Sequence, residues 1–179
     1  MKLLKSYDLL NDKKLIKWLN VWSIVLTVFF FIIFTVVTMI FKETTNEIKS
    51  PLIELLLMFG LLVVLIVIHE LIHGLFFKVF NPEAKVKFGY KNGMAYATSP
   101  SSKYRKSQFF VISIAPFILI TSVLLACYLL NILPKTMFIF IAALHAGACV
   151  GDFYWVWLIA KSPKGCLIED TDKGIDFYQ

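Results

Sequence analysis

The sequence predicts an all-α integral membrane protein of four transmembrane helices with one small cytoplasmic β-hairpin. Three observations predict it. Apolar residues make up 59% of the 179 residues and the mean hydropathy is +0.76. Four stretches are apolar over the ~20 residues of helix that a hydrocarbon core of ~30 Å requires. Lysine and arginine gather in alternate connections, as the positive-inside rule expects of a multi-pass chain. No repeat at a period of ~20 to 50 residues, no low-complexity tract and no second soluble domain is visible, so residues 1–179 read as one membrane domain.

The first span is expected over 17–41. Its apolar stretch exceeds the ~7 to 15 residues of a signal-peptide core and no small-residue cleavage site follows, so it reads as a retained span. Ahead of it lies a basic arm with Lys2, Lys5, Lys13, Lys14 and Lys17. The second span is expected over 51–80, the third over 107–130 and the fourth over 134–160. The connection after the second span has Lys85, Lys87, Lys91, Lys103, Arg105 and Lys106, with Lys78 at its edge. The other two connections have Lys42, Lys49 and Lys135, with Glu43 and Glu47 balancing the first. The basic arm and basic connection therefore belong in the cytoplasm, and an even number of spans returns the tail there, where Lys161, Lys164 and Lys173 agree. Both termini are expected to be cytoplasmic in a multi-pass protein of the cell membrane. The net charge of +6 follows from this topology, and charges split among short loops point to no nucleic-acid partner. Cys127, Cys149 and Cys166 fit neither a CxxC element nor a disulfide framework and read as free thiols.

Within the basic connection, residues 84–98 read as a hairpin. Val86, Phe88 and Tyr90 alternate with polar or small residues, Asn92-Gly93 supplies a two-residue type I′ turn, and Met94 to Thr98 returns. Pairing about that turn sets Tyr90 opposite Ala95 and Phe88 opposite Ala97. A lone hairpin is marginal, so it should lie against the helices, as a connector or as an edge that pairs with an unwound substrate segment. Ser99-Pro100 is expected to open the next helix. Pro116, near the middle of the third span, should kink it and free a carbonyl close to the site. The acidic stretch from Glu169 to Asp176 reads as a solvated end.

Chemistry concentrates in His69-Glu70-Leu71-Ile72-His73, an HExxH element inside an apolar run from Leu52 to Phe77. Ionisable groups in a membrane helix are expensive and call for a compensating partner. Residues four apart share a helix face, so His69 and His73 can present imidazole nitrogens to one metal ion, and tetrahedral zinc suits that pair. Glu70 lies ~100° further round and is placed to act as base towards a zinc-activated water, which is the chemistry of peptide-bond hydrolysis.

Depth selects the third ligand. His73 lies ~10 Å and His69 ~16 Å from the cytoplasmic end of the second span, and Asp152 lies ~12 Å from the same end of the fourth. Asp152 is the only acid in its span, and a His2Asp set with an open fourth position is what a catalytic zinc site needs. His145 is two turns deeper, ~10 Å from Asp152 along the helix axis, and reads as a hydrogen-bonding neighbour of the ligands, a substrate contact, a polar pair between helices or, if Gly147 and Gly151 let the helix distort, a direct metal ligand. Gly74 and the small residues Ala142, Ala143, Ala146, Gly147, Ala148 and Gly151 favour close helix packing.

The HExxH near the cytoplasmic end of a membrane helix, the glycine after it, a hairpin and a later helix with an isolated Asp together resemble the site-2 type intramembrane metalloproteases. The closest likeness is to a small bacterial group of zincin membrane peptidases with a His-Glu-Leu-Ile-His-Gly type motif, over residues 51 to 160. The resemblance implies zinc held by His69, His73 and Asp152, with Glu70 as catalytic base. The chain departs from larger site-2 proteases in having Gly151-Asp152 where those have Asp-Gly, and in lacking a PDZ-like domain.

The expected function is thus a zinc-dependent endopeptidase with one Zn2+ per chain. It would act on a membrane-embedded or membrane-adjacent peptide or protein within the lipid bilayer, with its active site towards the cytoplasm. Two alternatives stand beside it: a non-proteolytic membrane metal binder or permease, and a protease-like interaction or regulatory protein with a degenerate site. Glu70 has no role in transport, the outer halves of the spans offer no polar path beyond Glu54, and no ligand is missing.

Overall fold

The computed structural model describes residues 1–9, 11–41, 47–91, 94–171 and 173–179. The Asn92-Gly93 turn and the charges at Lys42 and Glu43 lie outside the described residues. The element order is β1 (Leu3–Asp8), α1 (Lys13–Ile40), α2 (Pro51–Phe80), β2 (Lys87–Lys91), β3 (Met94–Thr98), β4 (Lys103–Arg105), α3 (Lys106–Leu129), α4 (Lys135–Ala148), α5 (Val150–Lys161), β5 (Leu167–Thr171) and β6 (Gly174–Tyr178).

Helices dominate, and three of them, α1, α2 and α3, are long and apolar enough to cross a membrane; α4 and α5 make a fourth if taken as one bent span. Their bounds agree with the predicted spans to within a few residues, because long apolar runs leave little ambiguity of type. The fourth span is a correction: a continuous helix over 134–160 is expected, and instead the chain breaks at Cys149 and bends by 47°. Gly147 and Gly151 flank that break, and glycine weakens a helix interior. The break makes Asp152 a first-turn residue of α5 rather than a mid-helix one.

The larger correction concerns fold class. The described residues include two antiparallel sheets, where one hairpin is expected. The β2–β3 hairpin is the predicted one, with Tyr90 opposite Ala95 and Phe88 opposite Ala97. The other sheet has four strands in the order β1-β6-β5-β4. The N-terminal arm pairs with β6, and the stretch read as a solvated end forms β5 and β6. Ser99-Pro100 does not open a helix: Lys103–Arg105 first pairs with β5, and α3 begins at Lys106. Ile168, Ile175 and Phe177 are buried, and that apolar face is what the charges around it obscure in the sequence.

The chain divides into two compact units. One comprises Met1–Leu19, Ile68–Pro116 and Gly151–Gln179; the other comprises Asn20–Val67 and Phe117–Val150. The first has its core where the end of α2, the start of α3 and the four-stranded sheet meet, on Phe77, Tyr104, Phe109, Ile112, Leu158, Ile168 and Phe177. The Phe77 and Tyr104 rings lie 5.4 Å apart, and the Tyr104 hydroxyl, 2.9 Å from Ser99 Oγ, reaches the Phe77 carbonyl at 3.5 Å. Phe77 is one helical turn after His73, so this core fixes the part of α2 that has the HExxH element.

The second unit is aromatic inside. Tyr128 stacks on Phe138 at 5.0 Å, and Phe34 meets Phe138 edge-on at 5.5 Å. The Thr27 hydroxyl donates to the Ser23 carbonyl at 2.9 Å, and Gly147 lies against both residues, where a side chain would not fit.

Candidate metal centre

His69, Glu70, His73 and Asp152 all belong to the first unit, although about eighty residues of sequence separate His73 from Asp152. Helical spacing sets the two imidazoles on one face, with ring centroids 4.8 Å apart and planes at 76°. Their Nε2 atoms are 3.1 Å apart. The Asp152 carboxylate completes a triangle, with Oδ2 at 3.1 Å from His69 Nε2 and Oδ1 at 3.2 Å from His73 Nε2. The Asp152 side chain is 13% exposed and those of His69 and His73 are 14% and 11% exposed.

These spacings test whether a metal fits. Zinc with bonds of ~2.0 to 2.1 Å to nitrogen and oxygen places neighbouring tetrahedral ligands ~3.3 Å apart. The Nε2–Nε2 separation and the distance from each Nε2 to its own Asp152 oxygen are all close to that length. His73 Nδ1 is 2.9 Å from the Ile112 carbonyl oxygen, which can only accept. Nδ1–H therefore donates outward, which leaves Nε2 as the ring nitrogen that faces Asp152 and His69. Lone pairs and a carboxylate converging within hydrogen-bond distance repel unless a proton or a cation lies among them. The donor set, two imidazoles and one carboxylate, is a set that zinc takes.

Glu70 interacts electrostatically with His73, His69 and Asp152 and accepts a hydrogen bond from the Ala97 backbone N–H. The β3 strand is thus the neighbour that orients the carboxylate. Gly74 permits this approach, because a Cβ at that position would lie 2.6 Å from Phe88 Cζ of the hairpin.

Two further partners surround the site. The Thr98 hydroxyl, at the end of β3, donates to the Asp170 main-chain oxygen at 3.1 Å and to its Oδ1 at 3.3 Å. Burial pushes the Asp170 carboxyl well above the usual carboxylate range, against the opposing pull of His73 and the Thr98 hydroxyl. The other is the Ile112 carbonyl, whose sequence signal is Pro116 four residues on. His145 falls in the second unit, where it is buried and its Nε2 is 3.8 Å from Cys149 Sγ.

Residues 62–167 match a family described as "Putative zincin peptidase". The chain belongs to this family. The match spans more than half of the sequence and takes in the HExxH element, the hairpin and Asp152. The zincin peptidase family suggests metallopeptidase activity and implies zinc as the metal. No curated protein and no solved structure matches the chain.

Proposed function

We propose that this zincin-family chain is a zinc-dependent endopeptidase that hydrolyses peptide bonds within or beside a membrane. The observation that carries the reading is the convergence of the His69 and His73 Nε2 atoms, on the same helix as Glu70, with the Asp152 carboxylate of α5 at 3.1 to 3.2 Å. Bound zinc supplies Lewis-acid chemistry, polarising the scissile carbonyl and making the attacking water more acidic. His73 is held for ligation by its Nδ1–H bond to Ile112, and Asp152 adds the anionic ligand.

Glu70 is the general base. Its carboxylate takes one proton from the attacking water as the C–O bond forms, then gives that proton to the amide nitrogen as the C–N bond breaks. The Ala97 N–H aims the carboxylate for both transfers. Because β3 lends this N–H, the hairpin runs beside the reacting centre, which supports it as the surface along which an extended substrate segment lies. The exposed apolar faces of α1, α2 and α3 support a membrane setting, and the lysine distribution supports cytoplasmic termini and a site open to the cytoplasmic side. The substrate class that follows is a membrane-embedded or membrane-adjacent peptide.

Detergent-purified full-length protein tests this through metal content and cleavage of a library of labelled single-span peptides. Wild type should hold about one zinc per chain, and Asp152→Ala should lose it. Glu70→Gln should keep the metal while cleavage falls by ~10² to 10⁴-fold, the range for losing a general base. Metal-free wild type would sink the reading. Metal retention with Glu70→Gln as active as wild type would favour a metal binder or permease instead.

A further inference from the structure

Pro116 lies inside α3, four residues after Ile112, and is fully buried. Proline has no N–H to give to the carbonyl four residues back, and its ring crowds that carbonyl away from the helix axis. In this helix that carbonyl belongs to Ile112, the group that accepts from His73 Nδ1 at 2.9 Å. Ile112 and His73 are themselves 1% and 8% exposed, so water is not at hand to replace either partner. An orphaned carbonyl and an imidazole N–H meet where neither is readily satisfied otherwise.

We propose that Pro116 is a positioning residue of the metal centre. By withholding its N–H it leaves the Ile112 carbonyl to His73, which fixes the imidazole tautomer with the Nε2 lone pair turned towards His69 and Asp152. Any other residue at 116 brings an N–H that competes for this carbonyl and draws it back to the helix. The inference rests on the reading of His73 as a metal ligand, and it goes beyond that reading by tying the ligand's orientation to a missing backbone donor on a different helix. Proline in membrane helices is tolerated where some other group satisfies the freed carbonyl. Here that group is a ligand of the proposed centre.

Two variants separate the missing N–H from the bulk of the ring: Pro116→Val, and the α-hydroxy analogue of valine at the same position. They share a side chain, but the second has a backbone ester oxygen in place of the N–H. Zinc affinity of the full-length protein in detergent is read by competition with a chromophoric chelator. The tautomer of His73 is read from ring nitrogen resonances of metal-free protein brought to the neutral imidazole.

Pro116→Val should bind zinc ~10 to 100-fold more weakly, the effect of disturbing an outer partner of a ligating histidine, and should populate both His73 tautomers. The ester analogue should match wild type in both readouts. Equal behaviour of valine and ester, whether weak or tight, overturns the proposal, because the N–H would then be irrelevant. If Pro116→Val is not recovered folded, the ester analogue decides alone, and weak binding by it overturns the proposal. If wild type takes up no zinc while the ring signature still follows the N–H at 116, the metal reading falls and the link from Pro116 to His73 stands.

Discussion

Asp170 illustrates what a single residue near this site does to stability. It is half-buried in β5, with the Thr98 hydroxyl on its carboxylate, and burial holds its folded pKa well above the ordinary carboxylate value that the unfolded chain has. Between those two values the folded protein retains a proton that the unfolded chain has released, so stability falls as pH rises through the window. Asp170→Asn keeps an acceptor for Thr98 and removes the titration. The metal-free variant should therefore melt higher than metal-free wild type at neutral pH and show a flatter melting profile across the pH range above the usual carboxylate value. A wild-type profile already flat over that range would count against the assignment. The sequence showed His69, Glu70, His73 and Asp152 because helical spacing and span depth are one-dimensional rules. Asp170 obeys neither rule, since strand pairing and a loop bring it to the end of β3, and so it stayed hidden among the acids of the tail.

At the scale of elements, β3 is the connector between Glu70, the proposed base, and the four-stranded sheet. Its Ala97 N–H holds Glu70, and Thr98, the next residue, is tied to β5. Thr98→Val removes that tie while keeping the shape of the side chain. Cleavage should fall by about tenfold, the equivalent of one hydrogen bond of ~1.4 kcal/mol, with zinc content unchanged. Combined with Glu70→Gln it should cause no further loss, because both changes act through the same carboxylate. Independent losses in the double variant would refute that coupling. In the second unit, a Cβ added at Gly147 would collide with Thr27 and lie 2.8 Å from the Ser23 carbonyl. Gly147→Ala should destabilise by ~1 to 3 kcal/mol, visible as a lower melting temperature, because backbone has to move to admit the methyl group. The hairpin register was legible because the alternation of Phe88 and Tyr90 against Ala95 and Ala97 fixes it locally. The break at Cys149 was not, because two glycines in an apolar run read equally as packing residues.

For the whole molecule, the sequence revealed the apolar helices and missed the four-stranded sheet. The arm of Leu3–Asp8 has Leu3 and Leu4 side by side rather than a clean alternation, and in Gly174–Tyr178 the apolar alternation is only two residues, Ile175 and Phe177 about Asp176. Strand pairing between the two ends of the sequence leaves no local mark at either. Gly174 is the tightest point of that pairing: a Cβ there would run into the Tyr7 carbonyl and lie 2.9 Å from the Leu9 nitrogen. Gly174→Ala should therefore separate β1 from β6, detected as faster amide exchange over 3–8, while α1 to α4 keep their protection. Unchanged exchange would mean that the strands can shift to accept the methyl group.

The first unit is assembled from three separated stretches, and that has a consequence during synthesis. When His69, Glu70 and His73 leave the ribosome, Asp152 and the strands behind it do not yet exist. The opening strand must wait for the segment at 174–178 before it has a partner. A chain caught halfway therefore holds the base and two imidazoles but not the carboxylate that completes the triangle. In the proposed enzyme, hydrolytic competence arrives last, as a property of the finished chain.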